Sequence, residues 1–255
     1  DTADDSDPVG VESGNLTSFG DLTGATLVAM DAHHAHYNYR RNIVSSNPST
    51  GKITVDEECE REGEPGLGWG SKYYIENHPA LLDQPGEWWY DTDTNMLYFW
   101  SPGGKDPGLV NLEISRLETG FDASNASHIV LVGLQIELYN GNAYEIRWKD
   151  GAGTAIGNQI LNSQIHYANK GVYLYHYVSG ADDELGISGF QLENSIIANI
   201  DTTAFDSYFS WDGLPLPDNF TQAGIRDITI RNNVIHHIGF NSDHRSAVGI
   251  RIFYP

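Results

Sequence analysis

The chain has 255 residues, 40% of them hydrophobic, enough for one large or two small cored domains and too many for general disorder. Thirty-five acidic residues against 14 Lys plus Arg give a formal charge of -21, which argues against a nucleic-acid backbone or an anionic membrane surface as partner. Cys59 is the sole cysteine, so neither an intrachain disulfide nor a Cys-based metal cluster can form.

The opening DTADDSDP lacks an initiating Met, a basic n-region and an apolar h-region, and reads as a mature or trimmed start. No apolar run approaches the ~18 residues of a membrane span. An acid-rich surface with only five Lys suits a secreted, extracellular or periplasmic location. Residues 1–20 read as a loose acidic leader.

A β-rich accessory region is expected over residues 21–120. Gly24 to Asp31, Tyr37 to Ser46, Lys52 to Asp56, Tyr73 to Asn77, Glu87 to Asp91, Met96 to Trp100 and Val110 to Ser115 are short β-branched or aromatic runs. Turn clusters such as SNPSTG, EPGLG, DTDTN and SPGGKDPG separate them, and no 3.6-residue apolar repeat is sustained. In LDQPGEWWYDTDTNMLY, Pro85-Gly86 makes a turn and DTDTN connects a hairpin. The cluster Trp88, Trp89 and Tyr90 is expected to supply core area, with a sugar-stacking platform as the alternative.

LDQPGEWWYD followed by LYFW resembles the LD-x-PGEW-aromatic-x-D, then LY, signature of secreted right-handed parallel β-helix proteins that act on carbohydrates. These include β-helix glycoside hydrolases with β-xylosidase, xylanase or fucosidase activity. The resemblance implies an all-β fold, a right-handed parallel β-helix beside a β-rich accessory layer, over roughly Gly24 to Pro255.

Residues 121–255 carry the repeat. Ile136, Ile165, Ile197 and Ile235 fall at equivalent positions 29, 32 and 38 residues apart. The pairs Ala143-Tyr144, Gly171-Val172, Ala204-Phe205 and Gly249-Ile250 recur further on, and Asn162, Asn194 and Asn232 stand where left-handed corners are expected. Such units bury their apolar face only by stacking at the ~4.8 Å strand spacing. About four coils are counted and the last has no polar cap, so a second chain or further coils are expected to cover that end.

Stacking turns equivalence into columns. With Tyr144, Val172, Phe205 and Ile250 inward, Glu145, Tyr173, Asp206 and Arg251 line an outer face; a second column holds Glu137, His166, Ala198 and His236. The first row has the inventory of a glycan groove, or of a solvated face with an Asp206–Arg251 ion pair. Ile250 follows Ile235 at a separation of 15 residues, against 7 or 8 in the other coils, so an excursion carries Asp243, His244 and Arg245 outward. IHHIGFNSDHRSAVGI is similar to the IH-x-IG, then SD, then GI segment of the β-helix hydrolases, although HRSAVGIRI stands where those have a shorter Gly-rich link. The resemblance implies Asp243 as nucleophile and a proton donor on a later coil.

Two chemistries follow. In a glycoside hydrolase, Asp243 is nucleophile or base and Asp206 a second carboxylate, while Tyr173, His236, Arg251, Arg245, Glu145 and His166 position the sugar. In a uronate lyase or C5-epimerase, Tyr173, His236, Arg245 or Arg251 serves as base or neutralises the acid. Ca²⁺ is the other candidate for neutralising the acid, and the negative charge repels a polyuronate unless Ca²⁺ bridges. A glycan-binding or assembling β-helix without catalysis is the third reading. No cofactor is required by the hydrolase reading. Adjacent His236 and His237 are expected to face opposite ways, and the run His33, His34, x, His36 lacks partners for zinc.

Overall fold

The computed structural model describes residues 10–30, 38–57, 59–61, 64–65, 71–149, 154–178, 185–211, 224–239 and 248–253. Regular structure is almost wholly β; the helical pieces are short 3-10 segments at Gly14–Phe19, Pro79–Leu81, Pro102–Gly104 and Pro107–Leu109. Described residues up to Leu112 form one compact unit, and those from Glu113 form a second. Among the described residues no helix is long and apolar enough to cross a membrane.

The first unit contains β1 (Gly10–Glu12), β2 (Thr26–Met30), β3 (Asn38–Asn47), β4 (Lys52–Val55), β5 (Glu60–Arg61), β6 (Glu64–Pro65), β7 (Lys72–Glu76), β8 (Trp88–Asp91) and β9 (Met96–Phe99). An antiparallel sheet runs in the order β1-β4-β3-β2-β7, and its alternating Leu27, Ala29, Ile43, Ile53 and Val55 pack with Leu22 into a core. The β3–β4 turn needs its glycine. Gly51 has φ +72, and a Cβ there would lie 1.9 Å from the Ser13 carbonyl oxygen.

Three expectations change here. Residues 10–19 are not loose: Val11 and Leu16 are buried, and β1 pairs with β4. Val110 to Ser115 is not a strand, and Leu112 and Ile114 are exposed. The Trp88–Tyr90 cluster lies outside the core. β8 and β9 form a two-stranded hairpin of their own, leaving Trp88 65% exposed and Tyr90 also exposed, while Trp89 stacks on Tyr98. A lone hairpin has no second layer against which to bury either face.

The second unit holds β10 (Phe121–Asp122), β11 (Val130–Val132), β12 (Gln135–Lys149), β13 (Ala155–Ile156), β14 (Gln159–Leu161), β15 (Gln164–Val178), β16 (Leu185–Ser188), β17 (Gln191–Glu193), β18 (Ile196–Trp211), β19 (Gly224–Arg226), β20 (Thr229–Arg231), β21 (Val234–Ile238) and β22 (Val248–Phe253). They make three parallel sheets. One is β10-β12-β15-β18-β21 with β22 also on β18; the others are β11-β14-β17-β20 and β13-β16-β19. The chain visits a strand of each sheet in turn, then returns one strand further along.

Left-handed corners recur between visits. His128, Gly157, Gly189 and Asp227 turn the chain into the β11-β14-β17-β20 sheet, and Gly133, Asn162, Asn194 and Asn232 turn it into the long one; all have positive φ. Asn tolerates this region because its short polar side chain bonds locally. The Asn232 amide nitrogen donates to the Asn194 amide oxygen at 3.3 Å, joining two corners. A third column, Leu138, Tyr167, Asn199 and His237, also has positive φ and bends the long strands internally. Just inside the second corner, Ser163 N donates to Ser195 Oγ at 3.1 Å and Ser195 N to Asn233 Oδ1 at 2.8 Å, so buried backbone groups keep partners.

The apolar columns fill the interior. Ile136, Ile165 and Ile197 are buried in register with partly buried Ile235, and Tyr144, Val172 and Phe205 in register with Ile250. Trp148, His176 and Phe209 form a third column in edge-to-face contact, with centroids 4.1 and 5.2 Å apart. Burying each large apolar side chain contributes about 1.5–3 kcal/mol, which no isolated circuit obtains. At β21 and β22 this packing thins: Val234, Ile250, Ile252 and Phe253 are exposed.

Candidate functional site

Outward positions on the long sheet hold the cluster richest in charge. Register places Glu145 beside Tyr173, Tyr173 beside Asp206, and Asp206 beside Arg251, as the repeat count predicts. Two residues on, alternation adds a second row on the same face: Arg147, Tyr175, Tyr208 and Phe253. Lys170 joins them from β15, next to a register shift between Ala168 and Lys170.

Asp206 is fully buried beneath this face. Oδ2 accepts from Lys170 Nζ at 2.8 Å and from Arg251 Nη2 at 2.5 Å, while Oδ1 accepts from Arg251 Nε at 2.7 Å. These are charge-assisted bonds, two of them in the fork geometry natural to guanidinium. Hydrogen bonding to Asp206 holds Arg251 above its ordinary range, against the opposing effect of burial. Glu145 is arranged similarly. It is 7% exposed and accepts from Asn142 Nδ2 at 2.6 Å, Arg147 Nε at 3.0 Å and Thr119 Oγ1 at 3.2 Å.

Cations and rings cover these acids. Lys170 Nζ lies 3.8 Å from the Tyr173 ring centroid and the Arg147 guanidinium carbon 5.3 Å from it. Tyr173, Tyr175, Tyr208 and Phe253 form a run of near-parallel rings, with successive centroids 5.8, 5.9 and 5.0 Å apart and interplanar angles of 13° to 19°. Burial, reinforced by the Asp206 charge, pushes the Tyr173 phenol up to about 12. It therefore stays protonated at neutral pH and can donate, but cannot act as a general base there.

The structure thus unites Glu145, Tyr173, Asp206 and Arg251. Asp206, expected as a second carboxylate of a glycoside hydrolase or as the partner of Arg251 in an ion pair, is enclosed and accepts hydrogen bonds from both Lys170 and Arg251. Glu145 likewise holds Arg147 rather than presenting a carboxylate. His166 and His236 lie elsewhere. They share a column with Glu137 and Ala198, but His166 is seven residues before Tyr173 and beyond the bend at Tyr167, roughly 20 Å along the strand at full extension. His236 and His237 do not face opposite ways: the positive φ at His237 breaks the alternation and brings their Nδ1 atoms into hydrogen-bond contact. Asp243 and Arg245, with His244 and the run His33, His34 and His36, lie outside the described residues.

Sequence reasoning missed Arg147, Lys170, Tyr175, Tyr208 and Phe253. Four were accessible by extending the outward column two residues; Lys170 was not, because the register shift that places it has no sequence signature. Among the described residues no three His, Cys, Asp or Glu side chains stand together as a metal site. No family model, curated protein or solved structure matches this chain.

Proposed function

We propose that the parallel unit is a right-handed parallel β-helix and that the chain is a secreted or periplasmic carbohydrate-active protein. Its outward face on the long sheet receives a polysaccharide or oligosaccharide, and the proposed reaction is hydrolysis of a glycosidic bond by carboxylate catalysis. The observation that carries this is the row Glu145, Tyr173, Asp206 and Arg251 held in register beside a run of tyrosines. A rigid sheet that fixes hydroxyl, guanidinium and ammonium donors at strand spacing suits a repeating ligand rich in hydroxyls.

The residues divide the work. Asp206 anchors Lys170 and Arg251, Glu145 anchors Arg147, and the protonated Tyr173 phenol and the cations orient the sugar. The nucleophile or base of this reaction is Asp243, the role that the resemblance of IHHIGFNSDHRSAVGI to the β-helix hydrolases implies. The test is release of reducing ends from a polysaccharide panel by the wild-type chain and by Asp243→Ala of equal melting temperature. Loss of release from the variant alone supports the assignment; full activity in Asp243→Ala overturns it.

A further inference from the structure

The β8–β9 hairpin presents an aromatic face to solvent. Register sets Trp88 opposite Phe99 and Tyr90 opposite Leu97, so these four side chains share one face, and alternation turns Trp89, Asp91, Met96 and Tyr98 to the other. Trp88 is 65% exposed, Tyr90 40% and Leu97 37%, with Phe99 partly buried beside them. On the opposite face Trp89 is covered by Tyr98, with centroids 5.1 Å apart; among the described residues no ring stacks on Trp88 or Tyr90.

Both ends of the hairpin are pinned. Gly86 N donates to the Trp100 carbonyl at 2.7 Å and Trp100 N to the Glu87 carbonyl at 2.9 Å, while Glu87 Oε2 accepts from Asp83 N and Gln84 N at 2.8 and 2.9 Å. At the far turn Asp91 Oδ1 accepts from Asp93 N at 2.9 Å and Asp91 Oδ2 from Thr94 Oγ1 at 2.7 Å. The two open rings are therefore fixed before any ligand arrives. Polar groups stand at their edge. The Tyr90 phenol donates to Asn95 Oδ1 at 2.9 Å, so the phenol oxygen keeps its capacity to accept and, among the described residues, the Asn95 NH₂ its capacity to donate.

Charge and size identify the occupant. Trp88, Tyr90, Asn95, Leu97 and Phe99 carry no charge, and residues 82–101 hold Asp83, Glu87, Asp91 and Asp93 but no Lys, Arg or His, which opposes any anionic ligand. Two strands about 4.8 Å apart and four residues of about 3.4 Å give a face on the order of 130 Å², far below the roughly 800 Å² per partner of a standard protein interface. A pyranose matches both limits: its C–H groups lie on an aromatic ring, and its hydroxyls meet acceptors and donors at the edge. We infer that this hairpin face is a binding platform for a neutral glycan, with a pyranose seated on Trp88 and hydroxyls reaching Tyr90 and Asn95. The platform belongs to the first compact unit. It shares with the proposed function the ligand class alone, and neither requires the other.

The test is a nuclear magnetic resonance titration of the full chain, read at the Trp88 indole N–H, whose signal is assigned by its absence from the Trp88→Phe spectrum. The probes are xylo-, cello- and manno-oligosaccharides, with an oligogalacturonate of equal length as the charged control. The Trp88 and Asn95 side-chain signals are expected to shift saturably with at least one neutral probe and to stay in place with the oligogalacturonate. Trp88→Ala, read at Asn95, should weaken that neutral probe about tenfold at unchanged melting temperature, and Trp88→Tyr should recover part of the loss. A Trp88 signal unmoved by all three neutral probes overturns the platform, as does an equal shift with the oligogalacturonate. Hydrolysis of a glycan with Trp88 unmoved sinks this inference and leaves the proposed reaction standing; a Trp88 shift without hydrolysis of any glycan does the reverse.

Discussion

Asp206→Asn separates a positioning carboxylate from a catalytic one. The substitution keeps the volume but replaces the negative oxygen pair with one carbonyl and one NH₂, which is a donor aimed at donors. Three charge-assisted bonds are affected, to Lys170 and Arg251, whose side chains are 23% and 32% exposed. Breaking a buried ion pair costs about 3–5 kcal/mol, and the partial exposure of the cations places this case at about 3 kcal/mol. For a chain of this size that lowers Tm by about 6–12 °C. Lys170→Met leaves the Arg251 fork intact and should cost about half as much. Thermal melts followed by circular dichroism read both, alongside glycan turnover. An unchanged Tm with abolished turnover in Asp206→Asn would refute the reasoning, because that is how a solvent-reachable catalytic carboxylate behaves.

Two further outcomes depend on packing and on proton linkage. At Gly171 a Cβ would lie 2.4 Å from the Ala204 carbonyl oxygen and 2.9 Å from Ile197 Cγ2, so Gly171→Ala forces adjacent circuits apart; the expected loss is about 1–3 kcal/mol, read as a lower urea midpoint. Burial pushes Tyr173 up to about 12, Cys59 up to about 11 and Tyr144 higher still. A raised group keeps its proton in the folded state where the unfolded chain has lost it. Its contribution is therefore complete below the unfolded values, about 8.5 for thiol and about 10 for phenol, and is lost as pH rises through the folded ones. Urea midpoints should fall steadily above about pH 9; a midpoint that rose between about pH 9 and pH 11 would contradict this linkage.

What could be read of the parallel unit in advance was periodicity. The four isoleucines and the small-apolar pairs fix register because a slip by one residue would turn every side chain to the opposite face, so counting alone predicts which residues lie side by side. The asparagine corners were legible for the same reason, since only a few residue types accept that backbone region. The corner at Leu138, Tyr167, Asn199 and His237 was not: Leu and Tyr have no preference for positive φ, so the column carries no uniform residue signal even though Asn and His accept that region. Because that bend was invisible, alternation was carried through it, and His236 and His237 were assigned opposite faces. The Trp88–Tyr90 cluster failed differently. Three large aromatics imply apolar area, but whether they are buried depends on what packs over them, and among the described residues β8 and β9 pair as strands with each other alone.

The site shows the same division between what spacing records and what depth decides. Alternation places Glu145, Tyr173, Asp206 and Arg251 on one face, yet it says nothing of how far each side chain lies beneath its neighbours. Only the packing of Lys170 and Arg147 over Tyr173 reveals that the acids lie under the cations. The formal charge of -21 then describes the chain as a whole and not the local balance of this face. At physiological salt, fields decay over about 8 Å, so acids elsewhere on the surface are largely screened. A group docking here responds to Asp122 as well as to Arg147, Lys170 and Arg251. Net charge governs long-range encounter and solubility; the groups within contact distance govern binding, and on this face they are of both signs, exposed Asp122 in register with Glu145 at one end and Lys170 and Arg251 over buried Asp206 at the other.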